Sequence, residues 1–213
     1  MNVYFWEFET SLIANLVFGS IVGYLFGFLF APKLHQRFDK RLVIVCSCIA
    51  YAMGDASPVI LRLLGVFPEN GDPWVFPGVL AFHVLGSAGI SIINISVMSA
   101  LADVADENEM LFGHRQEGML YSARNFFSKA DRALGTFLAG IALELISFPA
   151  KAVPGEVPAE TIFRLGLIDS PVTIIPALIG AAFYAGYRIN KHSHDKIRAD
   201  LDAKALAGRT PNG

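Results

Sequence analysis

Charge is scarce in this 213-residue sequence: Asp, Glu, Lys and Arg supply 17% of positions, against 54% hydrophobic residues and a mean hydropathy of +0.48. That balance excludes an ordinary soluble domain of this length and predicts an integral membrane protein. The sequence has two cysteines, Cys46 and Cys48, two positions apart in an apolar run. A helix points them in different directions, which excludes a disulfide between them and leaves them as small lipid- or helix-facing residues. The amino terminus, MNVYFWEFET, has two acids and no basic n-region, and the apolar run behind it is longer than that of a cleaved signal peptide. Nothing suggests a nucleic-acid partner. No nucleophile-base set, metal cluster or phosphate loop appears, so neither an enzyme nor a cofactor is expected. His192 and His194 are too few for a metal site.

What is abundant is long apolar sequence. Five runs, residues 11–31, 42–67, 77–102, 118–148 and 170–189, are long enough to cross a hydrocarbon core about 30 Å thick as helices. They lack the alternation of a closed barrel, so the expected fold is an all-α integral membrane bundle. Lys33, Arg37, Lys40 and Arg41 crowd the first connection, and Arg188, Lys191, Lys196, Arg198, Lys204 and Arg209 crowd the tail. Five crossings that begin outside place both basic clusters in the cytoplasm, as the positive-inside bias requires. The reading is thus a multi-pass protein of the cell membrane with its amino terminus outside and its carboxy terminus cytoplasmic. Residues 190–213 form a cytoplasmic tail in which HSHDKIRADLDAKAL can make a short helix. Trp74, Phe67 and Phe76 on the outer side, and Tyr184 and Tyr187 on the inner side, fit interfacial belts.

Several polar residues interrupt the apolar runs. In the first, Asn15, Gly19, Gly23 and Gly27 recur every four residues, a spacing that lets two helices approach closely, with Asn15 a candidate lining residue. The second contains Gly54, Asp55 and Pro58, where a helix can kink or break, and Asp55 either faces a pathway or is an interfacial or helix-bonded aspartate. In the third, His83, Ser87, Ser91 and Asn94 share an arc of about 80°. The histidine either bonds a neighbouring helix or, with Asn94, lines a polar path.

The fourth run holds Arg124, Lys129, Asp131 and Arg132, behind a polar stretch from Asp103 to Glu117 read as a loop. A charge near the middle of a membrane costs from about 2.5 to over 10 kcal/mol and normally faces an internal space. On a helical wheel Asp131, Arg124, Ser128, Arg132, Asn125 and Lys129 follow one another, in that order, around one half of the cylinder. Phe126, Phe127, Leu134, Phe137, Leu138 and Ile141 fill the opposite half. The charged half is a candidate solute or cation pathway. Lys129 lies about 16 Å past Gly118, near the midplane, and Asp131 points too far away to neutralise it. Either it joins a structural ion pair with another helix, or it senses a cation or binds substrate hydroxyls. The preceding stretch reads as a solvated connection or as an inner gate formed by Asp103, Asp106, Arg115 and Glu117 with Arg37 and Arg41.

The run Ala102, Asp103, Asp106, Gly113, His114, Arg115, Glu117, Gly118, followed by Lys129 and the closing IIPALIGAAFYAGYRINKHSHDKIRADL, resembles the melibiose-permease-like sugar:cation symporters of the major facilitator superfamily, the glycoside-pentoside-hexuronide group. The resemblance covers nearly the whole chain. It implies that the five helices are the eighth to twelfth of a twelve-helix transporter, that residues 1–10 are the outer end of a seventh, and that an amino-terminal half is missing. It further implies a small polar solute such as a glycoside, Na+ or H+ as the coupling ion, and a coupling role for Lys129. His114 stands where the family has arginine, Glu107 where it has an aromatic residue and Asp39 where glycine is common.

The leading expectation is the carboxy-terminal half of a cation-coupled sugar transporter that works by alternating access, with the bilayer and the missing half as partners. The competing one is a truncated, non-transporting membrane protein or a helix-bundle partner subunit.

Overall fold

The computed structural model describes residues 1–114 and 116–186, so Arg115, Tyr187 and the expected tail lie outside it. The described residues form five α-helices: α1 Thr10–Arg37, α2 Lys40–Leu63, α3 Val75–Phe112, α4 Glu117–Leu145 and α5 Ala159–Ala185. Among the described residues there is no strand. The chain is an all-helical, multi-pass membrane protein. Four helices, α1, α2, α3 and α5, are long and apolar enough to cross a membrane. The fourth expected span, α4, has the length but falls outside that group, because Arg124, Lys129, Asp131 and Arg132 crowd nine consecutive positions.

Packing follows the small residues. Helix α3 lies between α1 and α2, and α5 packs on the far side of α2, while α4 touches little beyond α3. Lipid offers no hydrophobic drive for helix association, so contact depends on how closely backbones approach. A Cβ on Gly23 would lie 2.6 Å from the Ser87 Cβ and 2.5 Å from the Val84 carbonyl oxygen, and one on Gly27 would lie 2.5 Å from the Ser91 Cβ. The four-residue glycine spacing of α1 is therefore the seam with α3. On the other side of α3, a Cβ on Gly54 would come within 2.5 Å of the Gly86 Cα, and one on Gly89 within 2.8 Å of the Tyr51 nitrogen.

Three expected boundaries change the most, while α2 ends at Leu63 rather than 67 and α4 at Leu145 rather than 148. The third helix runs ten residues beyond the expected end at 102, through the stretch read as a loop, to Phe112. Charge marked that stretch as a loop, yet no glycine or proline interrupts it between Gly89 and Gly113. Gly113, at φ 77°, takes the left-handed conformation that ends the helix, and its N–H bonds the Glu109 carbonyl. The connection shrinks to residues 113–116. At 38 residues, α3 is about 57 Å long, far more than a bilayer core requires. The fifth helix begins at Ala159 rather than 170, after Pro158 at the N-cap, with Glu160 and Arg164 paired on its first turns. Those charges, together with Asp169, had broken the apolar run. Helix α1 continues through Pro32 to Arg37 rather than ending at 31, which leaves a two-residue link to α2.

Where α1, α3 and α5 begin, residues 1–9 fold back as turns and bury Phe5, Trp6 and Phe8 against Val59, Val75 and Val79. Phe67 and Phe76 pack onto this cluster, whereas Trp74 stays exposed. Of the expected aromatic belt residues, Trp74 alone on this side has a wholly peripheral position; Tyr184 packs against the Ile44, Cys48 and Ala181 cluster.

Candidate functional site

Helix α4 carries most of the candidate pathway residues and has no buried residue. Asn125, Ser128, Lys129, Asp131 and Arg132 are exposed, and Arg124 is half-buried. A Cβ added at Gly135 or Gly140 would meet nothing within 4 Å. The cross-helix contact here is Arg124, whose Nη2 donates to the Asn94 Oδ1 of α3 at 3.3 Å. Asn94 in turn donates from Nδ2 to the Ile90 carbonyl at 3.0 Å. Among the described residues, Arg124, Lys129 and Arg132 form no ion pair with a carboxylate. Three cations and one acid on an open arc leave an excess of positive charge that water, a solute or another polypeptide must meet.

The four residues expected to share an arc on α3 part company. Ser87 and Ser91 are buried against Gly23 and Gly27, and the Ser91 hydroxyl donates to the Tyr24 carbonyl at 3.1 Å, so both belong to the α1–α3 seam. His83 Nε2 lies 2.7 Å from the Ser20 hydroxyl, a bond to a neighbouring helix. Asn94 is exposed and reaches α4. Asn15 is exposed on α1. Beside Asn94, an open groove of about 620 Å³ runs between α1 and α3, lined by Val17, Ser20, Tyr24, Phe28, Ser91 and Asn94.

At the opposite end from residues 1–9, the candidate gate has a firm centre. Lys40 Nζ sits 2.5 and 2.7 Å from the two oxygens of Asp103, which is 3% exposed, and this ties the first turn of α2 to α3. Asp106, one turn on, is also buried. Arg37 and Arg41 are exposed, Glu117 begins α4, and Arg115 lies outside the described residues. In the last turn of α1, His35 Nε2 lies 2.9 Å from the Ser96 hydroxyl. Lys40, His35, Ser96 and Ser20 were absent from the expected site. Each acts on a partner more than 60 positions away, and no periodicity carries such a pairing.

The Lys40–Asp103 pair lies between the exposed case, worth about 1 kcal/mol or less, and the buried case, where losing one partner costs about 3–5 kcal/mol. Asp103→Asn is expected to lower the thermal midpoint of the detergent-purified chain, measured by intrinsic fluorescence. Exchanging the two charges, with Lys40→Asp and Asp103→Lys together, should recover part of that loss.

Residues 1–191 match the profile of a family described as MFS/sugar transport protein. The chain is 34% identical over 206 residues to an uncharacterized symporter of Synechocystis, covering 93% of this chain and 35% of that protein. It is 27% identical over 189 residues to an Escherichia coli protein provisionally named a sulfoquinovose importer, covering 86% of this chain and 38% of the relative. A second E. coli protein, provisionally named a 2,3-dihydroxypropane-1-sulfonate exporter, is 23% identical over 208 residues, covering 96% and 42%. This chain thus spans well under half the length of each of these relatives.

Proposed function

Because the chain belongs to the MFS/sugar transport protein family, we propose that it supplies one wall of a cation-coupled transporter for a sugar or glycoside. The observation that carries this reading is the open polar arc of α4, where Arg124, Asn125, Ser128, Lys129 and Arg132 have no carboxylate partner among the described residues. Charges and hydroxyls at membrane depth are tolerated where they line a wet or ligand-filled space. Hydroxyl-rich solutes need donors and acceptors of this kind. The excess of cations also suits a sugar bearing an acidic group, a chemistry in keeping with the sulfonate in one relative's name.

A second helical bundle facing α4 would close the path, and alternating access would move the two walls against each other about the solute. We assign the cytoplasmic gate to the Lys40–Asp103 pair together with Asp106, Glu117, Arg37, Arg41 and, from the sequence alone, Arg115, with the amino terminus outside. Na+ or H+ drives the movement, and Lys129 is the residue on this wall that couples the ion to the solute. The test is uptake of labelled neutral and acidic sugars by cells or vesicles containing the protein, under Na+ and proton gradients imposed separately. Uptake that follows one gradient supports the reading. Equal accumulation with both gradients collapsed would overturn the coupling.

A further inference from the structure

The end of the bundle remote from residues 1–9 holds a histidine whose protonation state can be read from its neighbours. The Ser96 hydroxyl is fully buried and donates to the Ile92 carbonyl at 2.7 Å. A hydroxyl has one proton to give, so towards His35 Ser96 is an acceptor, and His35 Nε2 must carry the hydrogen at 2.9 Å. The other ring nitrogen, Nδ1, is buried with no hydrogen-bond partner among the described residues. The ring therefore sits as the neutral Nε2–H tautomer, with a bare lone pair on Nδ1.

Ser96 and Asp103 lie seven residues apart on one face of α3, about 10.5 Å along its axis. Ser96 receives His35 from the end of α1, and Asp103 receives Lys40 from the start of α2. Two residues, Phe38 and Asp39, join those helices, so the two contacts are mechanically linked. We propose that His35 is a proton-operated clasp: neutral, it holds the end of α1 on α3 through Ser96, and proton uptake at Nδ1 from the aqueous phase releases both contacts.

Among the described residues, the charged groups facing the ring from the neighbouring helices are Lys40 of α2 and Asp103 of α3, with Asp106 a turn further on; Lys33 and Arg37 are exposed on its own helix. An imidazolium there would carry a buried N–H without an acceptor and a positive charge beside Lys40. Asp103 attracts that charge, but its two oxygens already bond Lys40, whose ammonium opposes it. The clasped state thus disfavours the extra proton, the open state binds it, and the clasp weakens as pH falls through the range in which imidazoles titrate.

The experiment is amide hydrogen exchange by mass spectrometry on the full chain in lipid nanodiscs at pH 8 and pH 5, corrected for the intrinsic pH dependence of exchange. Residues 31–43 should exchange about tenfold faster at the lower pH, the equivalent of one unit of proton linkage, while the α2–α5 interface stays protected. His35→Gln keeps a side-chain N–H near Ser96 but does not titrate, and should abolish the difference. The same acceleration in His35→Gln, no acceleration in the wild type, or a loss of protection spread over all helices would each overturn the proposal. Nitrogen-15 spectra of the histidine ring give a second check that needs no variant: a His35 hydrogen on Nδ1 at pH 8 would contradict the tautomer. These readouts follow the bundle itself, so they stand whether or not the chain moves a solute.

Discussion

Lys129→Ala should abolish gradient-driven sugar uptake while the protein still inserts and folds. The two halves of this expectation have separate grounds. Lys129 is exposed on α4 and has no ion-pair partner among the described residues, so its truncation removes no packing and no salt bridge there. An unpaired ammonium near the membrane midplane is itself costly, and its loss should leave stability unchanged or slightly higher. A defect in uptake then reports the pathway rather than the fold. Uptake is measured in vesicles under the driving gradient, with the amount of inserted protein determined in parallel. Lys129→Arg keeps the charge but replaces a compact ammonium with a planar fork, and should recover only part of the activity. Wild-type uptake by Lys129→Ala would remove the lysine from the coupling scheme.

The second large effect lies in the fold. Gly54→Leu should prevent the bundle from forming, because the new Cβ alone would overlap the Gly86 nitrogen and lie 2.5 Å from its Cα. Those are backbone atoms, which cannot turn aside as a flexible side chain can, so α2 and α3 would have to separate along their whole crossing. Ordinary overpacking of a core costs about 1–3 kcal/mol, and this clash exceeds the ordinary case. Helix α5 rests on α2, so its place is lost as well. Size-exclusion chromatography and thermal unfolding in mild detergent should show a broad, aggregated profile. Gly140→Leu is the control, since a Cβ at that position meets nothing within 4 Å. It should leave this profile unchanged yet lower uptake, if another bundle packs against α4.

The features legible in the sequence are those that depend on spacing along one helix. The four-residue rhythm of Gly19, Gly23 and Gly27 marks a close helix contact, and α3 is the helix that fills it. The wheel of α4 rests on the same kind of spacing, and an unbroken helix does form from Glu117 to Leu145. Boundaries were less legible where charge and helix propensity disagree. Residues 103–112 are acidic, so hydropathy ends the span at 102, while the backbone continues to the first residue suited to a left-handed cap, Gly113. Contacts between helices were legible only in kind. His83 was expected to bond a neighbour or to line a path, and Ser20 is its partner. Asp103 was expected in a gate among Arg37, Arg41 and Arg115, whereas Lys40, one residue from Arg41, is the cation that reaches it from α2. On a helix, one residue is a turn of about 100°, which decides whether a side chain faces α3 or the surroundings.

The central claim is that the charged half of α4 borders an aqueous solute path. Single cysteines placed along this helix, in a background with Cys46 and Cys48 replaced by serine, can be challenged with a charged thiol reagent in sealed vesicles. The account predicts rapid labelling at Asn125→Cys, Ser128→Cys, Arg132→Cys and Thr136→Cys, slowed by a transported sugar, and slow labelling at Phe126→Cys, Leu134→Cys and Phe137→Cys. Labelling that ignores this division, or that is faster on the aromatic half, would contradict it.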